Sequence, residues 1–383
     1  MNISCEAIDI FSGCGGVSCG LTFAGVKVKA AVEIDSSAVN TYHSYPPLSD
    51  VIIIHRDICD VKGEDILKAA GINKSDIYLF AGCPPCQNFS RQNPTSKKKP
   101  VYEREKLLFE FLRIIEELLP PFILMENVPG IRAKNNKDIL DKFLSRLRKK
   151  YDIVEGILNS ADYGVPQIRK RFVLHAVRKD INMELMVSGF DFGLPKATHS
   201  ITGKDGLLPW RTVREAIGDL PAINAGETYV DDGRIHNHKC ENLAPINIQR
   251  MQIIRKNGGS RTCLPEELVL ECHKKRDLNG NLFSGRKDVY GIMDADKPSP
   301  TITGGCLRYS KGRYGHYEQD RGVSIREAAR LQTFPDDFIF SDSLTAAAMQ
   351  IGNAVPIELV KASGTELKQA MEIIKTKRRR DHG

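Results

Sequence analysis

The chain is poor in the features that mark several protein classes. It holds 10 cysteines and one tryptophan in 383 residues. Cysteines so few and scattered cannot build a disulfide framework, so free thiols in a reducing cytoplasm are expected. No apolar run approaches the roughly 18–20 residues of a membrane span, and no membrane association is expected. The start, Met1 to Ile10, carries Glu6 and Asp9 and lacks a basic-then-apolar run, so no secretory leader is expected. Low-complexity tracts and fixed-period repeats are missing, which argues against a repeat architecture. The remaining composition, 41% hydrophobic and 27% charged, is that of a globular protein large enough for more than one domain. The net charge of +7 favours an anionic partner without identifying one.

The first ~180 residues alternate strand and helix signals. Strands are expected at Ala7–Phe11, at Val26–Val32 ending at Glu33, at Ile52–Ile54 ending near Asp57, at Ile77–Phe80 running into Gly82, and at Phe122–Met125 ending at Glu126. Leu108, Phe111, Leu112, Ile115 and Leu119 fall on one face of a helix over Leu107–Leu119. Ile139, Leu140, Phe143, Leu144 and Leu147 do the same over Asp138–Tyr151. Such alternation predicts an α/β fold with a mostly parallel sheet covered on both sides. Each of the five strands ends in an acid, a glycine loop or a cysteine loop, at the edge where open α/β sheets bind ligands.

From about Asn182 the alternation fades and Gly, Pro and Asn become frequent. Ile181–Pro300 carries 16 Lys+Arg and 16 Asp+Glu, so the positive excess lies elsewhere: Lys97-Lys98-Lys99, Arg132–Lys150 and the tail Lys377–Arg380. The expected organisation is a Rossmann-like unit over 1–185, a second, smaller, irregular unit over 186–340, and a return over 341–383 with a basic tail. Thr212–Glu215 and Ser324–Glu327 both read as capping boxes that open helices.

Four motifs carry chemistry. Asp9-Ile-Phe11-Ser-Gly13-Cys-Gly15-Gly16 follows a strand and lets backbone approach a ligand closely. With Glu33 placed for ribose hydroxyls and Asp57 for an adenine amino group, it reads as an adenosine site, or more plainly as a tight turn. In Gly82-Cys83-Pro84-Pro85-Cys86-Gln87, prolines hold Cys86 on a rigid loop, where a thiolate is a good nucleophile. Cys83 and Cys86 also form a C-x-x-C. A zinc site would need partners among His236, His238, Cys240, Cys263, Cys272 and His273, which lack finger spacing, so no metal is expected. Met125-Glu126-Asn127 ends an apolar strand in a desolvated glutamate, a usable proton donor. In Gln167-Ile-Arg169-Lys-Arg171, two guanidiniums share one face of an extended segment, suited to an anionic or carbonyl partner.

These motifs, followed by Arg326-Glu-Ala-Ala-Arg330-Leu-Gln-Thr-Phe-Pro335 and Gln350-Ile-Gly-Asn353-Ala-Val-Pro356, occur in an order that resembles the DNA cytosine-5 methyltransferases of prokaryotic modification systems. The resemblance runs from Asp9 to Pro356. It implies S-adenosyl-L-methionine as cofactor, methylation of C5 of a flipped-out cytosine, and duplex DNA with a short target sequence as partner. It also implies target recognition by the segment between Arg171 and about Pro300, a cognate restriction endonuclease acting separately, and a monomer.

Carried over by position, the resemblance puts the cofactor on Asp9, Phe11, Gly13, Gly15, Gly16, Glu33, Asp57, Leu107 and Asn353. Phe11 would stack on adenine, Leu107 would line the pocket by its backbone, and Asn353 would close it. Cys86 would be the nucleophile and Glu126 the acid. Asn127 would hold the catalytic loop, and Arg171 would contact the cytosine with Gln167 and Arg169 in support. Lys97, Lys98 and Lys99 are expected on phosphates, and Arg261 and Lys274 on bases or phosphates. Three departures stand out: Cys14 and Cys19 decorate the glycine loop, Cys83 replaces a more usual glycine or phenylalanine, and Glu103-Arg-Glu-Lys106 replaces an Asp-x-Arg-Gly type stretch. An RNA cytosine-5 methyltransferase or a catalytically silent DNA-binding regulator are the rival readings. The long recognition region argues against the first. The intact Cys86 and Glu126, with only eight residues before the first motif, argue against the second.

Overall fold

The computed structural model describes residues 3–85, 101–230, 233–274, 288–341 and 343–382. Among them, a seven-stranded sheet forms from β1 (Cys5–Ile10), β2 (Val26–Glu33), β3 (Ile52–His55), β4 (Tyr78–Gly82), β5 (Phe122–Asn127), β6 (Tyr151–Asn159) and β7 (Lys170–Arg178). The spatial order is β3-β2-β1-β4-β5-β7-β6. Strands β1 to β5 pair in parallel, and β7 runs antiparallel to both β5 and β6. All five strands expected from sequence are present, within three residues at each end. The pair β6 and β7 completes the sheet beyond them.

Alternation along each strand sends side chains to two cores. Ala7 of β1, Leu79 and Ala81 of β4, and Phe122 and Leu124 of β5 pack on one face. There they meet helices α1 (Gly16–Phe23), α2 (Ser36–Ser44), α6 (Lys179–Val187), α7 (Val213–Ile217), α9 (Ile325–Leu331), α10 (Leu344–Asn353) and α11 (Ile357–His382). Ile8, Phe80, Ile123 and Met125 pack on the other face. It is covered by α3 (Gly63–Ala70), α4 (Val101–Leu118) and α5 (Lys137–Leu147). The helix expected at Leu107–Leu119 extends back to Val101, and the one expected at Asp138–Tyr151 ends at Leu147, where β6 follows from Tyr151.

The irregular middle of the chain has a small apolar cluster of its own, Met251, Ile254, Ile292 and Tyr309, built around α8 (Pro245–Lys256). Residues 213–220 and 323–340 instead join the core on the first face of the sheet. Both expected capping boxes form, at Thr212 with Glu215 and at Ser324 with Glu327. The second is reinforced from outside its helix. Arg321 donates to both oxygens of Glu327, at 2.8 and 2.6 Å, and both side chains are fully buried. His238 closes the network against the Ser324 hydroxyl at 2.9 Å and the Pro221 carbonyl at 2.8 Å.

Candidate functional site

The glycine loop leaves β1 through a strained turn. Phe11 has φ of 60°, a left-handed conformation that a bulky side chain rarely adopts. Gly15, at φ 98°, lies against Tyr42, and a Cβ there would sit 2.9 Å from that ring. Beneath the loop, Asp9 is sealed from solvent and accepts from the Ser18 hydroxyl at 2.6 Å, which in turn accepts from Tyr42 at 2.7 Å. Burial pushes the Asp9 carboxyl up to about 7. Asp9 thus braces the loop from within, while Gly13 and Glu33 face its outer side. Glu33, at the end of β2, accepts the Gly13 amide through one oxygen and the Ile34 and Asp35 amides through the other, each at 2.8 Å.

Asp57 follows β3 and caps the next turn by accepting from the Cys59 amide at 2.9 Å. That bond, with Lys106 nearby, holds its carboxyl below the usual range. Phe11 and Leu107 both pack, half-buried, against the apolar cluster of the α3–α4–α5 face. Asn353 is exposed at the end of α10.

At the adjoining strand ends sits a carboxylate–guanidinium pair. Glu126 closes β5 and meets Arg171 Nε at 2.7 Å, with both side chains about nine-tenths buried at 12% and 11% exposure. Burial pushes the Glu126 carboxyl up, while Arg171, Arg169 and a hydrogen bond from the Cys83 thiol pull it back down. Asn127 donates to the Pro84 carbonyl at 3.0 Å and so ties the end of β5 to the loop after β4. Cys86 and Lys97, Lys98 and Lys99 lie outside the described residues.

Gln167 and Arg169 sit in a joint between three parts of the chain. Arg169 donates to the carbonyls of Ile302 at 2.5 Å, Gly352 at 2.9 Å and Ala354 at 3.0 Å. Gln167 accepts from the Ile302 amide at 2.9 Å and donates to the Leu331 carbonyl at 2.9 Å. Both side chains are buried. The carbonyl partner expected for this motif is therefore internal for Arg169, and the carboxylate partner falls to Arg171. Gly352 presses backbone to backbone on the same joint, since a Cβ there would lie 2.0 Å from the Gly304 nitrogen. Asn353 thus stands between two carbonyls that one guanidinium holds.

In the middle segment an open cleft of about 700 Å³ is lined by Arg214, Arg255, Gly258, Gly259, Ser260 and Arg313 among others. Arg214 pairs with Asp296 at 3.1 Å, and Arg255 with Asp320. Arg313 is exposed, and nothing in its local sequence marks it. Of the two contacts expected in this region, Arg261 is half-buried near His273, whose imidazole is held below its usual range by burial first and then by the charges of Arg261 and Arg250. Lys274 pairs with Glu271 at 2.7 Å. Among the described residues no group of three or more His, Cys, Asp or Glu is placed to hold a metal. His238 is instead taken up by the Ser324 and Pro221 contacts.

The model of the C-5 cytosine-specific DNA methylase family matches residues 5–369. The type II methylase M.HgiDII of Herpetosiphon aurantiacus is 35% identical over 370 residues, covering 95% of each chain. The type II methyltransferase M1.HphI of Haemophilus parahaemolyticus is 34% identical, covering 94% of this chain and 86% of its own length. Among solved structures, a prophage-encoded Escherichia coli protein described as a DNA modification methyltransferase superposes with a TM-score of 0.66 at 27% identity, over 96% of this chain and all of its own.

Proposed function

Since the chain belongs to the C-5 cytosine-specific DNA methylase family and is a DNA (cytosine-5-)-methyltransferase, we propose that Cys86 and Glu126 carry the reaction on a cytosine swung out of duplex DNA. The observation that supports this most is the buried Glu126–Arg171 pair at the sheet edge, tied through Asn127 to the loop that leads to Cys86.

Cytosine C5 is a poor nucleophile in the aromatic ring. Addition of the Cys86 thiolate to C6 turns C5 into an enamine-like carbon able to attack an electrophilic methyl group. Glu126 assists by donating a proton or hydrogen bond at N3, which draws electron density from C6. Its burial favours the protonated form, and the guanidinium of Arg171 fixes the carboxyl in orientation. Loss of the C5 proton to solvent and departure of Cys86 as the thiolate restore the ring. Because the thiolate must reach the face of the base, the cytosine has to leave the stack.

The donor set beside this edge fits S-adenosyl-L-methionine. The carboxylates of Glu33 and Asp57, the apolar faces of Phe11 and Leu107, and the Gly13–Gly16 turn offer acceptors, a stacking surface and a close backbone approach. When bound, that cofactor supplies the electrophilic methyl group. Glu33 and Asp57 would hold its ribose and adenine, and Asn353 would close the pocket from the α10 end.

The recognition function is assigned to the middle segment, whose cleft gathers arginines around Gly258–Ser260. The type II names of the relatives support pairing with a restriction endonuclease acting on the same sequence. The test is covalent trapping. With 5-fluorocytosine in duplex DNA, the fluorine cannot leave as a cation, so the protein should stay bonded to DNA. The Cys86→Ala variant should lose both trapping and methyl transfer while still binding the cofactor. Full transfer without Cys86, or transfer to RNA in place of duplex DNA, overturns the reading.

A further inference from the structure

We propose that the Cys83 thiol is a positioning residue for Glu126, a proton donor that sets the orientation and proton affinity of this carboxyl. The proposal rests on the role given above to Glu126.

Three observations place it. First, the parallel register of β4 and β5 pairs Leu79 with Phe122 and Ala81 with Leu124. Two residues further on, that register brings Cys83 level with Glu126. Second, alternation assigns both to the same face. Leu79 and Ala81 belong to the core under α1 and α11, as do Phe122 and Leu124, and Cys83 packs half-buried against that core. Third, Cys83 and Glu126 line one small apolar recess with Val17, Val355 and Leu359. In that recess the S–H group of Cys83 is placed to donate to the carboxyl, and it favours the carboxylate form.

The physical consequence follows from the surroundings. Every group facing Glu126 acts on its proton. Burial favours the neutral acid, while Arg171 on β7, Arg169 just before it and the Cys83 thiol favour the carboxylate. The guanidiniums act mainly as charges. The thiol is a donor on the neighbouring strand, so it also limits rotation of the carboxyl about the end of β5. A glycine or alanine at position 83 provides no donor, and a serine provides one of similar reach.

The experiment is the pH profile of single-turnover methyl transfer for the wild type, Cys83→Ala, Cys83→Gly and Cys83→Ser. Removing the donor raises the proton affinity of Glu126. The alkaline limb should therefore move up by roughly half to one pH unit in the alanine and glycine variants, the size a modest hydrogen bond from a weak S–H donor gives. The serine variant should return the limb to its wild-type position. A limb unmoved in Cys83→Ala and Cys83→Gly, or moved equally in Cys83→Ser, overturns the proposal, the second result because it reduces Cys83 to packing. Should the donorless variants turn over too slowly to profile, the carboxyl band of Glu126 is titrated by infrared difference against Glu126→Gln, with the same expected shift. Glu126→Gln also separates the two readings. If it turns over like the wild type, the role of Glu126 itself fails; if it is inactive while the Cys83 limb is unmoved, only the role of Cys83 fails.

Discussion

Single side chains carry most of the chemistry here, and burial decides how they behave. Glu126 is held away from water with a guanidinium on one side, so replacing it by glutamine keeps the shape and removes the proton. Methyl transfer by Glu126→Gln should fall by about 10²–10⁴, with cofactor affinity little changed. A rate within a few-fold of wild type would show that the residue only packs. Asp9 makes a different prediction. Its folded pKa of about 7 lies above the usual carboxylate value near 4. The raised value means that the folded state holds the proton more tightly than the unfolded one. The stabilisation is therefore complete below pH ~4 and is lost as pH rises through about 7. Thermal melts of the wild type should show stability declining over that window relative to Asp9→Asn, which has no proton to lose. Parallel pH curves for the two proteins would refute the assignment.

At the scale of elements, local signals were legible wherever one residue satisfied one neighbour. The box at Ser324 and Glu327 was readable because its spacing alone pairs hydroxyl and carboxylate with orphan amides. Its true stake was hidden. Arg321 grips the same carboxylate from a preceding turn, and His238 reaches the same serine from 86 residues away. Glu327→Ala should therefore cost about 3–5 kcal/mol in urea unfolding, the range for stranding a buried charge, well above the ~1 kcal/mol of a lost cap. A cost near 1 kcal/mol would mean that Arg321 finds water. The same limit explains the rest of the site. The ends of β1 to β5 could be read from apolar runs broken by acids and glycines. That Arg169 turns inward to three carbonyls while Arg171, two residues on, meets Glu126 could not. Their partners lie on distant segments, and strand alternation gives both arginines the same face. Cys83 stood out in sequence only as an oddity; the register of β4 against β5 gave it a neighbour.

Across the whole molecule, the residues proposed for catalysis and the segment proposed for target choice occupy different stretches of chain that meet at one seam. Replacing residues 243–298 with the matching stretch of a relative should change which cytosine is methylated and leave trapping by Cys86 intact, as read by base-resolution sequencing of methylated DNA. An active chimera that keeps its original target would place specificity elsewhere. The limit at 298 comes from the seam itself. Ser299 and Ile302 are bonded to the segment that leads into β7, Ser299 to the Pro166 and Ile168 backbone and Ile302 to Gln167, and Gly352 leaves no room for a Cβ against Thr303 and Gly304. In the currency of heredity, this is a constraint on recombination. On that proposal, a crossover upstream of codon 299 would hand the gene a new target in one step. A crossover just beyond it must bring a partner for Gly352 that fits to a fraction of an ångström. Lineages of such genes should therefore carry exchanged recognition segments whose downstream breakpoints stop short of that codon, leaving a record of where the protein permits novelty.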